Sequence, residues 1–218
     1  MDILNSIKTP ADVKELKADE TDALCEQLRE FLIRNVAKTG GHLASNLGVV
    51  ELTVAIHKVF DTSTDRLVFD VGHQCYVHKI LTGRKQEFDS LRQYGGISGF
   101  PKPAESVHDA FTAGHASNSI SAALGIARAR SLAGDDYSVI AFIGDGALTG
   151  GLAYEGLSDT GVSGEPVIII LNDNGMSITK NVGGVARYLA RQRLKSSYAR
   201  FKKGYRRLME ILPGGKAI

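Results

Sequence analysis

Proline and cysteine are scarce in this chain, and long apolar runs are missing from it. Five prolines stand against 24 glycines in 218 residues. That balance excludes a proline-rich disordered chain and favours tight turns and close backbone approaches. The two cysteines, Cys25 and Cys75, have no metal-site spacing; they are expected to be reduced, partly buried thiols. The longest apolar stretches, such as residues 167–171, are far too short to cross a bilayer, and no basic-plus-apolar leader opens the sequence. The cytoplasm is the expected address. No GxxxxGK followed by Ser or Thr occurs, which excludes a P-loop.

What is present suffices for a core. The chain is 43% hydrophobic and 23% charged, and its length suits one large domain. The near balance of 26 basic and 24 acidic residues hides an asymmetry. Nine of the 26 fall within residues 187–207, where no acidic residue stands, which leaves 17 basic against 24 acidic elsewhere. Tyr188, Tyr198, Phe201 and Tyr205 are interleaved with them. Such a stretch can grip nucleic acid, but nothing else in the chain supports a nucleic-acid reader. A basic surface helix or connector is expected, which divides the chain into a domain at 1–184 and a helical connector at 185–218.

Periodicity sets out the elements. Residues 19–38 carry Leu24, Leu28, Leu32, Ile33 and Val36 at helical spacing. GGHLASNLG, residues 40–48, reads as a loop of small residues, and residues 49–60 as a helix. RLVFD, residues 66–70, is a short strand, and VGHQCYVHKILTG begins as a loop and becomes a helix ending near Gly83. Residues 86–105 have scattered Gly and Pro and no period, so mostly loop is expected. Residues 117–134 form a small-residue helix, capped by Ser117 or Asn118 and stopped at Gly134. Residues 137–144 and 166–172 are near-continuous apolar strands with a helix at 149–160 between them. The last ~30 residues read as helix followed by PGG. Buried strands alternating with helices predict an α/β fold, a mostly parallel sheet with helices on both faces.

A right-handed crossover makes strands 137–144 and 166–172 parallel. Their carboxyl ends then share the edge where open α/β sheets bind ligands. There stand GDG, Gly144 to Gly146, and NDN, Asn172 to Asn174. One carboxylate, one amide oxygen and flanking glycines make an incomplete cage for a hard cation, which phosphate oxygens and water would complete. Gly146 and Ala147, just before a helix, offer backbone N–H groups to an anion. Each motif alone reads as a turn with a capping residue; the pair on adjacent strand ends points to a Mg²⁺-diphosphate site. GDGALTG misses the dinucleotide fingerprint because its third glycine falls one position late, and its Asp would repel a bare pyrophosphate. A dinucleotide fold is the weaker alternative.

GDG followed at this spacing by an Asn-rich strand end is similar to the signature of thiamine diphosphate enzymes. Within them, GHLASNLGVVELTVAIHKVF, FDVGHQCYVHKILTGR, TAGHASNSISAALGIA, IGDGALTGGLAYEGL and ILNDNGMSI closely resemble the 1-deoxy-D-xylulose-5-phosphate synthase family. Transketolase shares the framework, but DVGHQ and NDNxMSI look like the synthase. The resemblance spans roughly residues 23–182. It implies condensation of pyruvate with D-glyceraldehyde 3-phosphate to 1-deoxy-D-xylulose 5-phosphate with loss of carbon dioxide, serving isoprenoid and thiamine synthesis, with thiamine diphosphate and Mg²⁺ as cofactors.

Residue by residue, the resemblance implies that Asp145, the Asn174 side chain and the Met176 carbonyl hold Mg²⁺. Asn174 also counts among the cofactor contacts. Gly146 and Ala147 would contact the diphosphate, and Gly114, His115 and Ala116 would line the cofactor. His73 would lie beside the diphosphate or thiazolium, and His42 would face the substrate as a proton-transfer group. His57 sits inside an amphipathic helix and reads as a core or surface residue, and His78 and His108 receive no role. Gly175 and Ala116 stand where the family often has Glu and Ser. Family members run to about three times this length and form homodimers, so the chain is expected to be a fragment or half of a split enzyme. It would pair with a pyrimidine-binding domain or subunit and would be inactive alone. A non-catalytic domain binding Mg²⁺-diphosphate or a partner is the alternative.

Overall fold

Strands apolar on both faces demand cover on both faces, and the fold supplies it. The computed structural model describes residues 2–173 and three positions beyond them, Gly184, Tyr188 and Arg191. Helices α1 (Ile3–Ser6), α2 (Pro10–Lys14), α3 (Ala18–Thr39), α4 (Leu43–Leu47) and α5 (Val50–Val59) precede strand β1 (Arg66–Phe69). Helix α6 (Tyr76–Lys79) follows, then a π-helical turn at Ile80–Arg84 and a 3-10 turn at Lys85–Ser90. After the loop that ends at residue 118 come α7 (Ser119–Ala133), β2 (Val139–Gly144), a 3-10 turn at Ala147–Thr149, α8 (Gly151–Ser163) and β3 (Val167–Asn172). Among the described residues no helix is long and apolar enough to cross a membrane.

The three strands are parallel in the order β1-β2-β3, with Phe69 opposite Phe142 and Gly144 opposite Asn172. β2, the middle strand, is buried from Val139 to Ile143. Because side chains alternate across a strand, Leu67, Phe69, Ile140, Phe142 and Ile170 turn to one face. There they join the core of Leu24, Leu28 and Leu32 from α3, Val50 and Val54 from α5, and Tyr76 and Val77 from α6. Val68 and Ala141 turn to the other face, where α7 packs on β1 and β2 through Ile120, Ala123 and Ala127. Small residues let α7 and α8 approach: a Cβ on Gly156 would lie 2.7 Å from the Ser121 hydroxyl.

Most expected elements stand where the periodicity put them, and the departures have local causes. The loop expected at residues 40–48 contains α4, a helical turn between His42 and Gly48. The helix expected to end at Gly83 does break there, with Thr82 and Gly83 at φ −100° and +90°. A 3-10 turn occupies Lys85–Ser90 within the expected loop. Ile33, counted with the apolar face of α3, is 48% exposed. Gly134 stops α7 in the left-handed conformation at φ 74°, as expected. Neither Ser117 nor Asn118 caps that helix with its side chain; the cap comes from another element, Asp70. Cys25 and Cys75 are free and buried, and burial pushes their thiols up to about 11 and about 12. The expected C-terminal helix lies outside the described residues, and so do Asn174, Gly175 and Met176.

Candidate active site at the carboxyl edge of the sheet

The two strand ends singled out in the sequence meet. The Asp145 amide donates to the Asn172 carbonyl at 3.1 Å, continuing the β2–β3 ladder past Gly144. One carboxylate-bearing residue therefore stands beside Asn172. Asn174 and Met176, the other expected ligands, fall outside the described residues. Among the described residues no group of three or more His, Cys, Asp or Glu side chains could hold a metal. A hard cation held by one carboxylate, an amide and a carbonyl needs no such group.

Three loops at this edge are stitched together. Asp70 directly follows β1, is 1% exposed, and accepts the Ser117 amide at 2.7 Å and the Ser119 amide at 3.0 Å. It thereby satisfies N–H groups that the start of α7 leaves without intrahelical partners. In return the Val71 amide donates to the His115 carbonyl at 3.2 Å. Ser117 reaches the third loop, its hydroxyl donating to the Ala147 carbonyl at 2.7 Å. Gly114, His115 and Ala116 are exposed along this seam. A Cβ on Gly114 would meet nothing within 4 Å, so open space lies against its backbone.

His42 and His73 come together on the other side of the β1 loop. Their rings lie 5.2 Å apart edge to face, and Phe100 is 6.4 Å from His42. Asn46, fully buried, holds both. Its amide donates to the His42 carbonyl at 2.7 Å and the His73 carbonyl at 2.8 Å, and its oxygen accepts the Tyr76 amide at 2.8 Å. The His42 amide donates to the Tyr76 hydroxyl at 3.4 Å. Gly41, at φ 141°, is required here because a Cβ would lie 2.7 Å from that hydroxyl. Burial lowers both imidazoles below their usual range, helped at His42 by Arg92 and at His73 by His42 itself, while Asp70 opposes the shift at His73. Their Nδ1 atoms are buried without hydrogen-bond partners among the described residues.

Asn46 and Asp70 were not singled out from the sequence. The asparagine stands inside GGHLASNLG and the aspartate just before VGHQ. Apart from the His42 carbonyl, four residues before Asn46, their partners are backbone groups 27 to 49 residues away, a relation no local pattern encodes.

Behind the site, the histidines given no role form a buried chain. Asp109 accepts from His78 Nε2 at 3.0 Å, which fixes that nitrogen as the donor and leaves His78 Nδ1 to accept from His57 Nε2 at 3.0 Å. Arg84 donates twice to the same carboxylate, at 2.7 and 2.9 Å, and the Lys102 amide once at 2.7 Å. His108 takes part elsewhere, its Nδ1 2.9 Å from the Thr62 hydroxyl. Burial would raise Asp109, but the hydrogen bonds and charges of His78 and Arg84 outweigh it and hold the carboxyl well below the usual range. Burial lowers His57 far and His78 less, because Asp109 supports the charged form of His78; Arg84, His108 and Lys14 further disfavour charge on His57.

A depressed histidine binds fewer protons folded than unfolded, so the stability it contributes is present above the unfolded value near 6.5 and lost as pH falls below it. The thermal midpoint should fall steadily from pH 7 to pH 5.5, each buried histidine adding a slope of up to about 1.4 kcal/mol per pH unit. Melting curves across that range check this, and a flat midpoint would contradict it.

A separate groove of about 640 Å³, lined by residues such as Asn5, Arg34 and Lys85, lies against α1 and α3 and holds none of these site residues.

A parallel sheet with a carboxylate at one strand end and glycine-bearing loops along the same edge defines an α/β domain, and that edge is where open sheets of this class take ligands. The family model described as 1-deoxy-D-xylulose-5-phosphate synthase matches residues 4–217. Relatives of that name from Clostridium kluyveri, Clostridium acetobutylicum and Syntrophomonas wolfei are 57%, 59% and 55% identical over 217, 201 and 213 residues. Those matches cover 99%, 92% and 98% of this chain but 35%, 32% and 33% of the relatives, so the chain spans about a third of their length. The chain belongs to the 1-deoxy-D-xylulose-5-phosphate synthase family.

Proposed function

We propose that residues 1–184 form the diphosphate- and magnesium-binding part of a thiamine diphosphate-dependent 1-deoxy-D-xylulose-5-phosphate synthase. The complete enzyme would condense pyruvate with D-glyceraldehyde 3-phosphate and release carbon dioxide. Residues 185–218 would lead, as a basic connector, to the pyrimidine-binding domain or a separate subunit carrying it, in a cytoplasmic homodimer. The observation that carries this reading is the meeting of Asp145 with Asn172 at one sheet edge, beside a His115 loop fastened to both neighbouring loops.

The residues present suit the cofactor. The open space against Gly114 leaves room along the loop, and the unpartnered Nδ1 atoms of His42 and His73 are polar groups that a bound molecule or water would satisfy. Asp145, Asn174 and the Met176 carbonyl would hold Mg²⁺, which the diphosphate oxygens and water would complete. Gly146 and Ala147 would offer N–H groups to the diphosphate, and Gly114, His115 and Ala116 would flank it. Thiamine diphosphate, when bound, supplies the electron sink for decarboxylation. His73 would lie beside it. His42, held neutral near pH 7 by burial, would take or give a proton at a substrate oxygen.

Titration calorimetry with thiamine diphosphate and Mg²⁺ tests this. Binding should require the metal, and Asp145→Ala should weaken it by roughly 100-fold or more. Binding indifferent to Asp145 would overturn the ligand assignment.

A further inference from the structure

Ser117 stands in the left-handed backbone region at φ 73°. That region suits glycine, and an L-residue with a Cβ is strained in it. Strain of this kind persists where the surroundings over-determine it, and it concentrates at functional sites. Ser117 is held from both sides. Its amide donates to Asp70 Oδ1 at 2.7 Å, and its hydroxyl donates to the Ala147 carbonyl at 2.7 Å. The space for that hydroxyl exists only because residue 150 is glycine: a Cβ there would lie 2.1 Å from the Ser117 Oγ. The left-handed serine, its bond across to Ala147 and the bare Gly150 fit one another.

We propose that Ser117 is a positioning residue, its strained backbone retained because its hydroxyl fastens the Gly146–Ala147 turn to the His115 loop. The carbonyls of that turn are all tied back. The Gly146 carbonyl accepts the Thr149 amide at 3.2 Å and the Thr149 hydroxyl at 2.7 Å, and the Ala147 carbonyl also accepts the Gly150 amide at 3.3 Å. A turn whose carbonyls are fixed presents its N–H groups in one orientation, which is what donors to a diphosphate require. The bond from Ser117 alone joins this turn to the neighbouring loop among these contacts; the others are local. The ligand side of this inference rests on the diphosphate reading above.

Ser117→Gly separates positioning from stability, because it removes the hydroxyl and the strain together. The thermal midpoint of S117G should be unchanged or raised, whereas Ser117→Ala, which keeps the strain and loses the bond, should lower it. In S117G the Thr149 and Gly150 amides should exchange with solvent about tenfold faster or more. Affinity for thiamine diphosphate with Mg²⁺ should fall by about tenfold. Unchanged exchange at Thr149 and Gly150 would overturn the proposal, and so would a midpoint of S117G as low as that of Ser117→Ala. Failure of the unsubstituted chain to bind thiamine diphosphate would sink the diphosphate reading, while the exchange rates would still decide the role of Ser117.

Discussion

Asp109→Ala should lower stability by about 3–5 kcal/mol, the cost of removing one member from a buried charged cluster. The carboxylate is fully buried and satisfies the two terminal Arg84 nitrogens, His78 Nε2 and the Lys102 amide. Its loss leaves a guanidinium that is itself 6% exposed without its closest partner. Glu105, 3.7 Å from Arg84 and 2.6 Å from Lys79, compensates only partly. For a chain of this size the midpoint should drop by on the order of 10 °C, which calorimetry reads directly. The damage should also reach the site. Asp109 and Glu105 anchor the loop through the amides of Lys102 and Ser98. The same loop presses Phe100 toward His42 and Pro101 against Gly72. A variant that melts within 2 °C of the unsubstituted chain would contradict the argument, that margin being roughly what 1 kcal/mol moves a chain of this length.

Asn46→Ala should cost about 2 kcal/mol or more, since an orphaned buried backbone group costs about 1–3 kcal/mol and two are orphaned together. These are the His73 carbonyl and the Tyr76 amide, while the His42 carbonyl loses the side-chain amide but keeps the backbone amide of residue 46 at 3.4 Å. Stability is the smaller part of the expectation. With the amide gone, nothing else described ties the His42 carbonyl to the His73 carbonyl, so the rings should lose their 5.2 Å spacing. Nuclear Overhauser contacts between the two imidazoles should vanish. Asn46→Asp should do the same while leaving the Tyr76 amide satisfied, because a carboxylate accepts but cannot donate to two carbonyls. Persistence of the ring contacts in both variants would contradict this role.

These two residues mark what the sequence left unread. Apolar runs and glycine stops made β2, β3, α3 and α7 legible, because burial periodicity and left-handed caps are written locally. The sheet-edge rule likewise places Gly144–Gly146 beside Asn172. His57 and His78 are the instructive failures. His57 reads in the sequence only as a residue of an amphipathic helix, while the hydrogen bond it shares with His78 spans 21 residues, and the one from His78 to Asp109 spans 31. Asp70, likewise, caps a helix that begins 49 residues later. Side chains that serve distant backbone carry no period, so pattern reading passes over them. Asn174, Met176 and most of the basic stretch lie outside the described residues.

The seam from Asp70 through Ser117 to Ala147 has a kinetic meaning. Loops already fastened to one another surrender little further freedom when a ligand arrives, so the ordering cost of association is largely met in advance. Encounter should then proceed without a slow rearrangement of these loops, and variants along the seam should differ mainly in how long the ligand stays.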